Sequence, residues 1–191
     1  MSVTGLTSRC PRLRMIPPLR VFLDADVIIA GSASPNGASH ALLQVAELGL
    51  VDGWTSTLVL EEVRRNLWQK LPRALPIFEA LWPHCLHLGP DPDATDIQRV
   101  LSYAHAKDVH VVVAALRVPT HWLLTFNVRH FYSPPRLVVL RPGEAIQRLR
   151  TLIGQLAELA NAAPTVARPD RACLRDGKSG SATRASGRVA K

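Results

Sequence analysis

Residues 20–31 read RVFLDADVIIAG. Val21, Phe22 and Leu23 form a short apolar run ending in Asp24, and Ala25-Asp26 steps into a second apolar run closed by Gly31. A continuous apolar run of this length fits a strand buried on both faces, as in a parallel sheet. An acid at its C-terminal end falls where open α/β sheets bind their ligands. Taken alone, the stretch also fits a simpler role, Asp24 or Asp26 capping the next turn or helix.

Outward from this strand, strand-like and helix-like segments alternate. Residues 32–39 are rich in Gly, Ser, Pro and Asn and read as a loop. Leu42, Leu43, Ala46 and Leu50 follow helical spacing over 38–50, and 51–56 reads as a strand. Ser56 or Thr57 can cap a helix to about residue 70 that buries Leu60, Val63 and Leu67. Pro72 and Pro76 restart the chain into a helix carrying Leu75, Phe78, Leu81 and Trp82, and residues 84–88 suggest a short strand. After the loop GPDPDATD, Thr95 and Gln98 match a capping box for a helix to about residue 106. The apolar, alanine-containing run 109–116 reads as a buried helix headed by Asp108. Strands follow at 122–125 and 137–140, and Pro142 with Glu144 opens a last helix to about residue 160. The alternation predicts an α/β domain with a mainly parallel sheet and helices on both faces.

The 191 residues suffice for one domain with a sizeable core and loose ends. No apolar run approaches the ~18 residues of a membrane helix, and the N-terminus lacks the apolar core of a secretory signal. Cys10, Cys85 and Cys173 are odd in number, dispersed and without a CxxC pair. They point away from a disulfide framework or a zinc knuckle and toward a reducing cytoplasm. The net charge of +8 sits on the flanks: residues 1–20 hold four arginines and no acid, and residues 163–191 hold seven Lys or Arg against two Asp. We therefore expect a disordered basic segment over 1–19, a domain over 20–160 and a disordered basic tail over 161–191, with Met15 as the natural start. Such tails can hold nucleic acid non-specifically, but are more commonly only solvated.

The candidate chemistry lies in polar residues at strand ends and helix starts. Asp24 ends the first strand, Glu61 and Glu62 lie in the helix after the second, Asp108 heads the apolar helix, and Asn127 follows a later strand. A capping role accounts for Asp108 alone, but not for acids recurring beside one sheet edge. Converging carboxylates repel each other, and a bound cation removes that cost. Oxygen ligands without a Cys or His cluster favour Mg2+ or Mn2+ over zinc, and such an ion activates water for attack on a phosphodiester. His110 is expected to pack or orient a neighbour, and His130 to contact phosphate or to sit exposed. Arg64 and Arg65 fit either RNA phosphates or a solvated helix face. Trp54, Trp68, Trp82 and Trp122 are too dispersed for a base-stacking platform and belong mostly to the core. Ser56 and Thr57 lack a nucleophile elbow and read as caps.

Three stretches in order carry a resemblance: VFLDADVIIAG (21–31), TSTLVLEEVRRNL (55–67) and AKDVHVVVAALRVPTHWLLTFNVRHF (106–131). The sequence resembles the PIN-domain ribonucleases, and most closely the VapC-like toxins of bacterial toxin–antitoxin pairs, over roughly residues 20–150. The resemblance implies a three-layer α/β/α sandwich with a mainly parallel central sheet, and a Mg2+- or Mn2+-dependent endoribonuclease. It assigns the metal to Asp24, Glu62 and Asp108, with Glu61 as the rival of Glu62 on the solvated face. Asn127 falls where many members carry a fourth acid, and Thr125 matches a substrate-positioning hydroxyl. RNA, a cognate antitoxin and a second copy of the chain are the implied partners. Asp26 stands where many members place Asn; it could supply the charge that Asn127 lacks, but is expected rather to hydrogen-bond the turn of Asp24. Two other readings remain: a non-catalytic RNA-binding or protein-interaction module on this scaffold, and a phosphotransfer domain with Asp24 as acceptor. The latter is disfavoured by the missing Gly-Thr/Ser loop and lysine.

Overall fold

A computed structural model describes residues 18–162. The expectations placed on residues 1–17 and 163–191, including disordered flanks and a start at Met15, lie outside the described residues.

Five short strands form the sheet: β1 (Arg20–Leu23), β2 (Asp52–Thr55), β3 (His87–Leu88), β4 (Trp122–Leu124) and β5 (Val138–Leu140). All pair in parallel, in the order β3-β2-β1-β4-β5. The chain therefore starts in the middle, steps outward twice, then returns across the sheet to the other side of β1. Right-handed crossovers place the helices of the outward steps on one face and those of the return on the other. The first set is α1 (Ala25–Ala33), α2 (Ala38–Glu47), α3 (Thr57–Lys70) and α4 (Leu75–Cys85); the second is α5 (Ala94–Val100) and α6 (Val109–Arg117). α1 packs on α2, α3 and α4, and α5 packs on α6. The fold is the three-layer α/β/α sandwich expected from the sequence.

With both faces covered, β1 and β4 are buried almost throughout, which is why they read as continuous apolar runs. α6 buries Val109, Val111, Val112, Val113, Ala114 and Ala115 and is the deepest helix of its layer. A last helix, α7 (Pro142–Ala162), begins with Pro142 and takes the Arg141 N–H on the Glu144 carboxylate at 3.1 Å. Its Ala145 is fully buried, with Ile146 and Leu149 packed against the core. One compact unit runs to Ile153, and the described part of a second unit, from Gly154, is the end of α7. No helix among the described residues is long and apolar enough to cross a membrane.

The elements differ from the sequence reading in three places. Gly31 does not close a run: α1 continues through it to Ala33, because Gly31 is where α1 and α2 cross. A Cβ there would stand 2.6 Å from Leu43 Cδ1 and 3.1 Å from the Ser39 backbone. α5 is capped not by Thr95 but by Asp93, whose carboxylate accepts from Asp96 N and from the Thr95 hydroxyl. It ends at Val100, short of the expected residue 106, and Arg117 of α6 grips it through Asp93 and Asp96. Trp68 is 73% exposed, whereas Trp122 is buried and Trp54 and Trp82 pack against the core.

Gly53 sets how closely β2 approaches the turn into β3. A Cβ at this position would lie 2.5 Å from the Cys85 backbone oxygen, 3.1 Å from Ala46 Cβ and 3.2 Å from Leu86 Cδ2. A backbone carbonyl cannot swing aside as a side chain can. Gly53→Ala is expected to lower stability by about 1–3 kcal/mol in a urea titration, the usual range for overpacking.

Candidate active site

β1 delivers Asp24 to the point where the strand order reverses, with β2 on one side and β4 on the other. In open α/β sheets this crevice is where ligands bind. Asp24 N donates to Leu124 O at 3.0 Å, continuing the β1–β4 pairing by one residue. Asp24 also caps α1, its Oδ1 accepting from Ala25 N at 2.7 Å. The capping role read from the sequence is therefore real, but it occupies one oxygen only. The other, Oδ2, accepts from the Thr125 hydroxyl at 2.9 Å. Asp24 is 8% exposed. Burial, then the charge of Asp26, with Asp108 adding to both, push its carboxyl up to about 7 against the pull of the Thr125 and Ala25 bonds.

Asp26 lies within the first turn of α1 but does not serve the turn of Asp24. Its Oδ2 accepts from Phe126 N at 3.0 Å and from Asn127 Nδ2 at 3.0 Å, with the Thr125 hydroxyl at 3.3 Å. It clamps the segment after β4 onto α1. Thr125 is fully buried and its oxygen accepts from Asn127 N at 3.1 Å. A hydroxyl has one proton, and the shorter contact gives it to Asp24. Asp26 Oδ1 is buried without a hydrogen-bond partner among the described residues. Burial foremost raises the Asp26 carboxyl, against the Phe126 N–H, and the charge of Glu62 raises it further.

Glu62 and Asp108 approach from the two helix layers. Ser56 caps α3 by accepting from Val59 N at 3.3 Å and is fully buried, so its hydroxyl is structural. α3 turns Val59, Leu60, Val63 and Leu67 into the core, which leaves Glu62 half-buried at the margin and Glu61 exposed. Glu61 is thus on the solvated face. Asp108 stands at the N-cap position of α6, yet its side chain makes no capping bond. Its Oδ2 instead lies 2.9 Å from His130 Nδ1. The His130 ring also leans on that of His105, with centroids 5.6 Å apart.

Asp24, Asp26, Thr125 and Asn127 form one hydrogen-bonded group; Glu62 and Asp108 reach it through their charges on Asp26 and Asp24. Among the described residues, no three His, Cys, Asp or Glu side chains already stand at liganding distance from a common point. The four acids nonetheless fit a hard divalent cation. They offer oxygen donors only, Asp26 Oδ1 lacks a partner among the described residues, and the Asp24 carboxyl is raised first by burial and then by negative neighbours, whose charge a cation would offset. The clamp by Asp26 and the Asp108–His130 pair are absent from the sequence reading. Their partners lie 100 and 22 residues away, and no local spacing announces them.

Two outcomes are expected. Asp24 binds its proton more tightly in the folded chain, at about 7 against an ordinary 3.8, so in EDTA its ionisation removes stability as pH rises from 4 to 7. Asp24→Asn lacks this loss: urea titrations should find it about 2–4 kcal/mol more stable than the wild type at pH 8 and equal near pH 4. Asp26→Ala releases the Phe126 N–H and the Asn127 amide. It should cost about 1–3 kcal/mol and speed hydrogen exchange at Phe126, while Asp26→Asn keeps an acceptor and most of the stability.

The family model described as PIN domain matches residues 20–129. No curated protein matches the chain. Among solved structures the chain is similar to VapBC2 from Rickettsia felis, bound in that crystal to a promoter DNA fragment, at 15% identity and a TM-score of 0.48, covering 64% of this chain and 98% of that one. It is also similar to PAE2754 from Pyrobaculum aerophilum, at 14% identity and a TM-score of 0.49, covering 70% of this chain and 96% of that one. The matched residues run from β1 to the turn after β4 and include all four acids, Thr125 and Asn127: the chain belongs to the PIN domain family, whose members are generally nucleases.

Proposed function

We propose that this chain is a Mg2+- or Mn2+-dependent endoribonuclease that hydrolyses RNA phosphodiester bonds, acting in the cytoplasm as the toxin of a toxin–antitoxin pair. The observation that carries the reading is the buried Asp24 at the strand-order reversal, with the charges of Asp26 and Asp108 acting on it. Acids held this way suit a cation and a polyanionic substrate better than a binding surface for RNA alone, which is built from basic and aromatic side chains. RNA as substrate, the cognate antitoxin and the homodimer rest on the resemblance to VapC-like toxins.

Asp24, Glu62 and Asp108 would hold the cation. When bound, it supplies Lewis-acid chemistry, activating water and offsetting the charge that builds on the phosphodiester. The rest is work for the chain itself. The Thr125 hydroxyl fixes Asp24 Oδ2, and the Ala25 N–H fixes Oδ1, so Asp24 has one orientation. Asp26 holds Phe126 and Asn127 in place. Asn127, with its amide tied to Asp26, brings hydrogen bonding and no charge. No side-chain nucleophile is required.

The test is incubation of the purified protein with single-stranded and structured RNA, with Mg2+ or Mn2+ and with EDTA. Cleavage should require the ion and fall roughly a hundredfold or more in folded Asp24→Asn and Asp108→Asn proteins. Ion-independent cleavage, or full activity in both variants, would overturn the mechanism. RNA binding without cleavage by the folded wild type would leave the non-catalytic module.

A further inference from the structure

We propose that His130 is a positioning residue, which holds the Asp108 carboxylate through Nδ1 and so sets the cation affinity of the site. The inference rests on the cation-dependent reading above, and His130 lies just beyond the span matched by the family model.

The geometry separates the ring from the fold. The backbone around His130 is held without it: His130 N donates to Asn127 O, His105 N to His130 O, and Tyr132 N to Tyr103 O, at 2.7–2.8 Å. Ala104 and Phe131 form an antiparallel bridge beside them. The ring is therefore free to be chosen for what it touches. It touches Asp108 at 2.9 Å, with its other side leaning on His105. As a stabilising pair this contact is weak, since the side chains are 34% and 21% exposed. As an orienting contact it is specific. An ionised carboxylate only accepts, so Nδ1 carries the proton and donates to Asp108 Oδ2. Asp108 makes no capping bond that would otherwise fix its rotamer, and no donor among the described residues takes its Oδ1. His130 thus holds one oxygen of Asp108 and leaves the other available. Partners that orient a metal-ligating carboxylate in this way typically change affinity or activity 10–100-fold.

The experiment compares Mn2+ affinity by titration calorimetry, and kcat and KM on RNA, in the full-length wild type and in His130→Ala, His130→Asn and His130→Gln. Urea titration confirms that each is folded. An Asn side chain places its amide nitrogen where Nδ1 stands, and Gln places it nearer Nε2. His130→Ala should weaken Mn2+ binding about tenfold or more, with kcat recovered at saturating Mn2+. His130→Asn should restore most of the affinity and His130→Gln should not. In an Asp108→Ala background, His130→Ala should add no further loss. Unchanged Mn2+ affinity in His130→Ala, or an equal loss with and without Asp108, overturns the positioning role alone. A folded wild type that neither binds Mn2+ nor cleaves RNA overturns the function together with it.

Discussion

The hydrogen bond from the Thr125 hydroxyl to Asp24 Oδ2, 2.9 Å long, joins residues 101 positions apart, and the site is built around it. It exists because β1 and β4 are neighbours in register, with Leu23 opposite Leu124. The next residue on each strand is then Asp24 and Thr125. A slip of one residue in that pairing would exchange the faces of the buried side chains and separate the two polar groups. The register is held by burial: Phe22, Leu23, Leu123 and Leu124 are all at most 1% exposed, so a shifted strand would open the core on both faces. Packing of the apolar residues thus fixes the position of a carboxylate that packing alone would exclude.

That carboxylate works against the fold. Asp24 and Asp26 both bind their protons more tightly than free acids do, and burial is the first cause in each case. The donors gathered around them, Ala25 N, Thr125 Oγ, Phe126 N and Asn127 Nδ2, recover part of the cost. They leave Asp26 Oδ1 without a partner among the described residues. A site arranged in this way is expected to be less stable at neutral pH than the same fold with an amide in place of Asp24, a trade-off common where function needs charge in a low-dielectric crevice.

Much of the fold was readable along the chain, because a sheet covered on both faces writes itself as short apolar runs between amphipathic helices. VFL before Asp24 and WLL before Thr125 are of this kind. The misread elements are those whose reason lies in another part of the chain. Gly31 resembles a stop until Leu43 and Ser39 are placed against it, and α5 resembles a longer helix until Ala104, beyond its end, is seen bridged to Phe131. The site divides in the same way. Asp24 and Asp108 stand out at the ends of apolar segments, and the branched residue after Glu62 keeps its helix register. Asp26 carries no such mark, since its hydrogen-bond partners, Phe126 and Asn127, arrive from 100 and 101 residues away.

The two departures from the family pattern, an acid at 26 and an amide at 127, are physically one feature. Asn127 Nδ2 donates to Asp26 Oδ2 at 3.0 Å. With acids at both positions, two carboxylates would meet at that distance with Asp24 close by, and one of them would have to hold a proton. With amides at both, the bond would survive but the crevice would lose a charge. An acid at either position with an amide at the other keeps both the bond and the charge; only the direction of donation changes. The pair in this chain puts the charge on α1, in its first turn, where the helix dipole favours it. The negative field of the crevice therefore follows from Asp24, Asp26, Glu62 and Asp108 together, and the amide at 127 joins the Phe126 N–H as a donor to the Asp26 carboxylate.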